Sequence, residues 1–234
     1  MMINSEQMIL IYLAFLSVAI VDLIAIAGIS SLLRVRIKAV GLFWFRGLSS
    51  FKLNGIRVGL GLFPFPSSYV QFAEGHQELA DHFRERDSSK RYFTELPAIT
   101  KLIIVLSGVF CNIAIASMLI GFRAVQSSWT GISQLGQFLI SQESGLHYLK
   151  QISLLHQSSG SLITWATLTT KVIAINLLPL PIFYGGFMIV TLFESITRTK
   201  VSSQKLVSIT LLMMIVILIL FISNWGSFIL GLIR

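Results

Sequence analysis

The sequence contains little charge and a single cysteine. Charged residues make up 12% of its 234 positions and apolar residues 54%, and the apolar residues form runs far longer than those of a soluble core. These runs exclude an ordinary soluble domain. The lone cysteine, Cys111, excludes a disulfide framework. Histidine is absent before His76, so the first apolar run has no histidine to offer a metal.

Several hydrophobic segments are long enough to cross a bilayer, which takes about 20 residues of helix. They are residues 9–33, 102–122, 162–193 (with an interruption) and 206–233. We therefore predict a mainly α-helical, polytopic membrane protein in which residues 1–234 form a single membrane domain with about four transmembrane helices. The first segment lacks the basic start and the small-residue cleavage site of a secretory signal, so we expect it to be retained.

The connecting segments differ in composition. Residues 40–72 are rich in glycine, phenylalanine and proline, and Asn54-Gly55 lies between alternating flanks, which is a strong hairpin signal. We expect a membrane-associated hairpin there. Residues 73–97 are the most polar and are predicted to form a cytoplasmic helix and loop. Residues 123–161, rich in serine, glutamine and glycine, are predicted to form an external loop with a weak amphipathic helix.

The distribution of basic residues predicts the orientation. Residues 34–101 hold eleven of the eighteen lysines and arginines, whereas residues 123–161 hold only Arg123 and Lys150. Because basic residues collect on the cytoplasmic side, we expect both basic loops to be cytoplasmic and both termini to lie outside. The net charge of +8 is then explained by orientation signals and by contact with membrane lipid. We expect no nucleic-acid partner.

Three short patterns occur in order along the chain. They are Ser67-Ser68-Tyr69-Val70-Gln71-Phe72, then Gly108-Val109-Phe110-Cys111-Asn112, then Asn176-Leu177-Leu178-Pro179-Leu180-Pro181-Ile182-Phe183-Tyr184-Gly185. The last resembles the N-x-x-P-x-x-x-L-D-G motif of the site-2 protease (M50) family of intramembrane zinc metalloproteases. The first two resemble the extended element and the G-P-x-x-N-like segment of that family. The resemblance implies a site-2-protease-like core, with Tyr184 in place of the aspartate that ligates zinc.

The H-E-x-x-H motif of this family has no counterpart here. Aligning the basic stretch that follows the first helix on Arg36 places the two histidines at about Asp22 and Ile26 and the glutamate at Leu23. Zinc catalysis needs three protein ligands, an open position and a carboxylate base. The resemblance therefore implies vestigial active-site positions at Asp22, Leu23, Ile26, Asn176, Pro179, Tyr184 and Gly185. We expect no catalytic residue, no metal and no cofactor, so we predict a pseudoprotease.

Another metal site is conceivable in the polar segment. His76, Glu78, Asp81 and His82 are close in sequence and are of ligand type. We interpret them instead as the solvated face of a helix outside the membrane spans.

Two ionisable residues within the predicted spans lie at similar depth. Counting residues along each helix and using the α-helical rise per residue, we predict that Asp22 lies ~18 Å from the cytoplasmic edge of the membrane. In the same way, we predict that Lys171 lies ~15 Å from the outer edge. Buried charges in membranes usually face a partner, so we hypothesise an Asp22–Lys171 ion pair. The alternative is that Lys171 extends to the interface and Asp22 meets water or a hydroxyl. Tyr184 either fills the vacated metal position and hydrogen-bonds to Asp22, or packs as an ordinary aromatic residue.

The extended element suggests what an inactive relative would do. Ser67, Ser68, Tyr69 and Val70 resemble the edge that clamps the substrate strand in the family, so the chain is predicted to bind a transmembrane segment without cutting it. The favoured interpretation is an inactive homologue that binds, scaffolds or regulates another membrane protein, in a bacterial inner membrane. The alternatives are an unrelated four-helix complex subunit or transporter component, and an active metalloprotease with an atypical metal site.

Overall fold

The computed structural model describes residues 5–73, 91–179, 183–199, 201 and 203–233. Most of these residues are helical, and one antiparallel strand pair accompanies the helices. The chain divides into two compact units, one of Phe15–Ala114 and the other of Met1–Ala14 together with Ile115–Arg234. The mainly α-helical class predicted from the sequence is therefore confirmed, and the small sheet with it.

Helix α1, Ser5–Leu32, is a nearly continuous apolar run, and its end is defined by a backbone motif. Arg34 has a left-handed conformation with φ of 56°. Its N–H donates to the carbonyl of Ser31 at 3.1 Å, and the N–H of Val35 donates to that of Ser30 at 2.8 Å. This is the Schellman pattern, which satisfies carbonyls that a helix end otherwise leaves unpaired. It stops the helix sharply before the sheet begins.

The predicted hairpin is confirmed. Strand β1, Ile37–Leu53, pairs antiparallel with strand β2, Ile56–Phe72. The two turn residues, Asn54 and Gly55, have positive φ values of 49° and 81°. A two-residue hairpin turn of this kind needs positive φ at both positions, which asparagine and glycine tolerate best.

The two long strands bend, and as a result one part of β1 pairs with two different segments of β2, one on each side. Residues 39–42 pair with residues 68–71 and also with residues 57–60. Phe43, with φ of 70°, follows this doubly paired stretch. Gly41 permits the close approach because a Cβ there would lie 2.5 Å from the ring of Tyr69. The central stretch of the sheet thus has its backbone groups engaged along both edges.

The sheet is tied to the start of the next helix. Helix α2, Ala98–Ile120, follows a 3-10 turn at Phe93–Glu95. The ring of Phe93 stacks on that of Phe72 with centroids 4.2 Å apart. The Arg36 guanidinium lies 4.9 Å from the centroid of the Tyr92 ring. These contacts hold the two ends of the hairpin beside the helix that carries the second motif.

The second unit corrects one prediction. Residues 123–161, predicted to form an external loop with a weak amphipathic helix, are helical over almost their whole length: α3 is Arg123–Ile140 and α4 is Gln142–Asn176, with a kink at Gly160. Small residues of α3 instead contact those of α4, since a Cβ added at Gly131 would lie 2.7 Å from the Cβ of Ala174. The buried small or hydroxyl residues include Ala124, Ser128 and Gly131 on α3 and Ala166, Thr170 and Ala174 on α4. Small residues let helices approach closely, which drives packing in membrane proteins.

The predicted interruption of the third hydrophobic segment is observed. Helix α4 ends at Asn176 and helix α5, Tyr184–Thr197, begins beyond the proline-containing stretch. Helix α6, Ser203–Ile233, follows and contacts α3. Among the described residues, three helices are long and apolar enough to span a membrane, namely α1, α2 and Ser208–Trp225 of α6. The interrupted segment is divided between α4 and α5, so neither part counts as a span by itself.

Candidate functional site

Asp22 is a buried acidic residue on a largely apolar helix. Its residue surface is 3% exposed, and the neighbours one turn away on α1, Val18 and Ile26, are buried as well. Leu23 is half-buried. A charge at this depth is costly unless it is hydrogen-bonded, so the partner of Asp22 determines what this site can do.

The second motif provides that partner. The side-chain amide of Asn112 donates to Oδ1 of Asp22 at 2.8 Å, and also lies 3.0 Å from the carbonyl oxygen of Gly108. Asn112 is only 2% exposed. A hydrogen bond between two side chains that are held away from water is electrostatically stronger than the same bond in water. It joins α1, at a predicted vestigial active-site position, to the second pattern on α2.

Gly108 sets how closely the two helices approach. A Cβ added at Gly108 would collide with Oδ1 of Asp22 and lie 3.0 Å from its Cα. Any larger residue would therefore separate α1 from α2 at the level of the carboxylate. Asp22, a predicted vestigial position, thus forms one contact with Gly108 and Asn112 of the second pattern, and we call this contact the Asp22 cluster.

The predicted zinc positions do not fit zinc. Asp22 offers one carboxylate, whose Oδ1 already accepts the Asn112 amide, and Ile26 and Leu23 carry only hydrocarbon side chains. Tyr184, the first residue of α5, carries a phenol where the family motif has an aspartate. No group of three potential metal ligands (His, Cys, Asp or Glu) occurs among the residues that the structure describes. The alternative cluster, from His76 to His82, lies outside the described residues.

Lys171 has its contacts within its own unit. Its ammonium donates to the carbonyl of Ser127 at 2.9 Å and to the hydroxyl of Thr130 at 3.2 Å, both on α3. The adjacent Thr170 hydroxyl donates to that of Ser127 at 2.7 Å. Sequence reasoning missed these acceptors because it placed α3 in a loop. The Asp22–Lys171 ion pair joins residues of different units and stays a prediction, as does a Tyr184–Asp22 hydrogen bond.

The third motif forms a tight helix break. Asn176 is the last residue of α4, and Pro179 is exposed. Gly185 is buried in the first turn of α5, where an added Cβ would collide with the carbonyl of Leu177. Only glycine allows this close approach between the end of one helix and the start of the next.

The predicted strand-binding edge lies in β2. Ser67, Ser68, Tyr69 and Val70 are all half-buried. Ser68 and Val70 pair with Leu42 and Val40 of β1. These β1 residues pair on their other side with residues 57–60 of β2, so the segment lies next to a doubly paired stretch of the sheet.

A polar pocket that the sequence did not suggest lies between α3 and the start of α4. Its volume is about 370 Å³, and it is lined by Gln134, Gln137, Glu143, Ser144, His147, Tyr148 and Gln151. Burial raises the pKa of Tyr148, so its phenol stays protonated. The amides, imidazole and hydroxyls provide hydrogen-bonding groups.

Comparison with known families identifies one family over most of the chain. The model of peptidase family M50 matches residues 27–221. The match begins after Asp22 and Ile26 and includes the hairpin, α2 and the helix break. No curated protein matches the chain significantly. Given its apolar helices and a family match over most of its length, this chain is an integral membrane protein that belongs to peptidase family M50.

Proposed function

We propose that this protein is a catalytically inactive member of its family, which binds another membrane protein and scaffolds or regulates it. The observation that carries the proposal is the hydrogen bond from Asn112 to Asp22. This bond engages Asp22, the one residue at the predicted metal positions whose side chain is of a type that binds zinc. The function that remains is recognition without cleavage.

The chemistry of the Asp22 cluster supports the loss of activity. Peptide hydrolysis by zinc requires protein ligands that leave one position open, and a carboxylate that takes the proton of the attacking water. At the predicted position of that carboxylate stands Leu23, and Ile26 replaces a ligand. The Asp22–Asn112 bond joins two helices directly, a role that needs no ion.

The sheet supports the recognition part of the proposal. An extended segment can extend a sheet by pairing with its border strand, which gives affinity through main-chain hydrogen bonds. Residues 39–42 pair on both sides and are therefore not available to a ligand. The segment from Ser67 to Val70 borders them, so we assign the partner's transmembrane segment to this edge. The proposed partners are thus another membrane protein and the surrounding lipid, and no nucleic acid.

Cross-linking tests this recognition. A photoreactive phenylalanine analogue at Ser68 should form an adduct with one membrane protein of unchanged length in native membranes. The same analogue at Ser50, an exposed residue outside this edge, is the matched control. A shortened adduct would indicate cleavage and contradict inactivity. Equal adducts at both positions, or none at Ser68, would contradict binding at this edge.

We place the protein in a bacterial inner membrane with both termini outside. The basic loops would then be cytoplasmic, and residues 162–193 would form a fourth, broken crossing. Impermeant maleimide applied to intact cells tests this orientation in a Cys111→Ser background. Cysteine at Ser158 should be labelled and cysteine at Ser50 should not, since both positions are exposed but are predicted on opposite sides. Reversed labelling would contradict the orientation.

A further inference from the structure

The end of the hairpin has two chemically different faces. In residues 49–60, here called the hairpin tip, Leu53 pairs with Ile56, Lys52 with Arg57 and Phe51 with Val58. Side chains of directly paired residues project from the same side of a sheet, and successive residues alternate between sides. The register of the tip therefore sorts its side chains into two sets.

One face is apolar and exposed. It carries Phe51, Leu53, Ile56, Val58 and Leu60, of which Phe51 and Leu53 are each 58% exposed and Leu60 is 44% exposed. A contiguous apolar patch of this kind marks a surface that a membrane or a partner covers.

The opposite face is cationic. Lys52 and Arg57 are cross-strand partners, and both are exposed. Like charges directly opposite each other destabilise a strand pair. Neither side chain forms an ion pair with another residue of the described ranges. An anion bound by both side chains would remove this repulsion, so the arrangement favours a negatively charged partner.

We infer that the hairpin tip lies in the membrane interface and binds anionic phospholipids. The apolar face would contact the acyl chains, while Lys52 and Arg57 would contact headgroup phosphates. An interfacial element needs this combination of an apolar face with cations on the polar face. The lipid is the favoured partner because β1 begins at Ile37, directly after the membrane-spanning α1 ends at Leu32. The sheet is thereby tethered at the bilayer surface.

Spin labels on adjacent residues test this inference in the full-length protein. In a Cys111→Ser background, Phe51→Cys carries a label on the apolar face and Ser50→Cys carries one on the cationic face. The protein is reconstituted into vesicles of phosphatidylcholine, with or without phosphatidylglycerol. Accessibility to oxygen reports burial in lipid, and accessibility to a water-soluble nickel chelate reports exposure to water. Leu53→Cys repeats the measurement on the apolar face in case the label at position 51 disturbs the turn.

In the anionic vesicles, we expect the label at position 51 to favour oxygen and the label at position 50 to favour nickel. Removing phosphatidylglycerol should make position 51 shallower, and Lys52→Gln with Arg57→Gln should abolish this lipid dependence. Lys150→Gln with Arg198→Gln is the matched control, since these exposed cations lie outside the tip. Nickel access at both labels, or low access to both reagents at position 51, would overturn the interfacial placement. A lipid dependence that survives the tip substitutions would overturn the anionic recognition.

Discussion

The amide of Asn112 donates to the carboxylate of Asp22 at 2.8 Å, with both side chains buried. The two residues are 90 positions apart in sequence and belong to the first two membrane spans. In a protease of this family, the corresponding part of the first helix would carry metal ligands. Here a direct hydrogen bond between helices occupies Asp22, and we expect it to contribute to stability.

Asn112→Ala should therefore destabilise the protein. The substitution removes a donor from a buried carboxylate, so the free energy of unfolding should fall by about 1–3 kcal/mol. Unfolding of the purified protein in mixed detergent micelles, followed by circular dichroism, measures the change. Ser107→Ala is the control, because the buried Ser107 hydroxyl donates to Ile104 of its own helix at 2.7 Å. Equal losses for the two variants would contradict a special role for the link between helices.

Gly108→Ala tests the close approach of the helices. The added methyl group would collide with Asp22, so we expect a loss of about 1–3 kcal/mol from overpacking. Gly28→Ala in α1 is the matched control, since its Cβ would meet nothing within 4 Å. There, alanine should be neutral or stabilise the helix by up to about 1 kcal/mol. Thermal melting of both variants gives the comparison, and a stable Gly108→Ala protein would disprove the packing.

Lys171→Met should destabilise the α3–α4 pair. The ammonium donates to Ser127 and Thr130, and we expect its loss to cost about 1–3 kcal/mol. The same variant tests the predicted ion pair in a double-mutant cycle with Asp22→Asn. The ion pair predicts that the double variant recovers stability, with a coupling above about 1 kcal/mol. Losses that add within about 0.5 kcal/mol would rule the pair out and leave the α3 contacts as the role of Lys171.

Gly55→Ala should weaken the hairpin. Gly55 has φ of 81°, a conformation that alanine adopts only with strain, although its Cβ would meet no atom within 4 Å. We expect a cost of about 1 kcal/mol that comes from backbone strain alone. Gly136→Ala is the control, because Gly136 lies in α3, its φ is not positive, and its Cβ would also meet nothing. Equal melting temperatures for Gly55→Ala and the parent protein would contradict the turn geometry.

Features with local causes could be predicted from the sequence. The hairpin followed from Asn54-Gly55 because few other residues tolerate positive φ at two successive positions. The break after Asn176 followed from the prolines, which cannot continue a helix. In both cases, the residue that determines the backbone lies within the element itself.

Features that depend on packing between distant segments were missed. Residues 123–161 are rich in serine, glutamine and glycine, a composition shared by loops and by close helix contacts, so only the partner helix distinguishes the two. The Asp22–Asn112 pair was missed for the same reason. A signal that could have revealed it is the presence of one polar residue near the middle of each of two consecutive spans. Polar side chains at that depth are costly unless they form hydrogen bonds with each other.

The metal content of the detergent-purified protein tests the central claim most directly. Elemental analysis measures the zinc bound by the parent protein and by Asp22→Ala, a variant that lacks the carboxyl group at the predicted site. We expect less than about a tenth of an equivalent of zinc in both, because the donor set at the predicted positions does not fit the ion. About one equivalent in the parent protein, lost in Asp22→Ala, would contradict the claim and identify Asp22 as a ligand of an active protease.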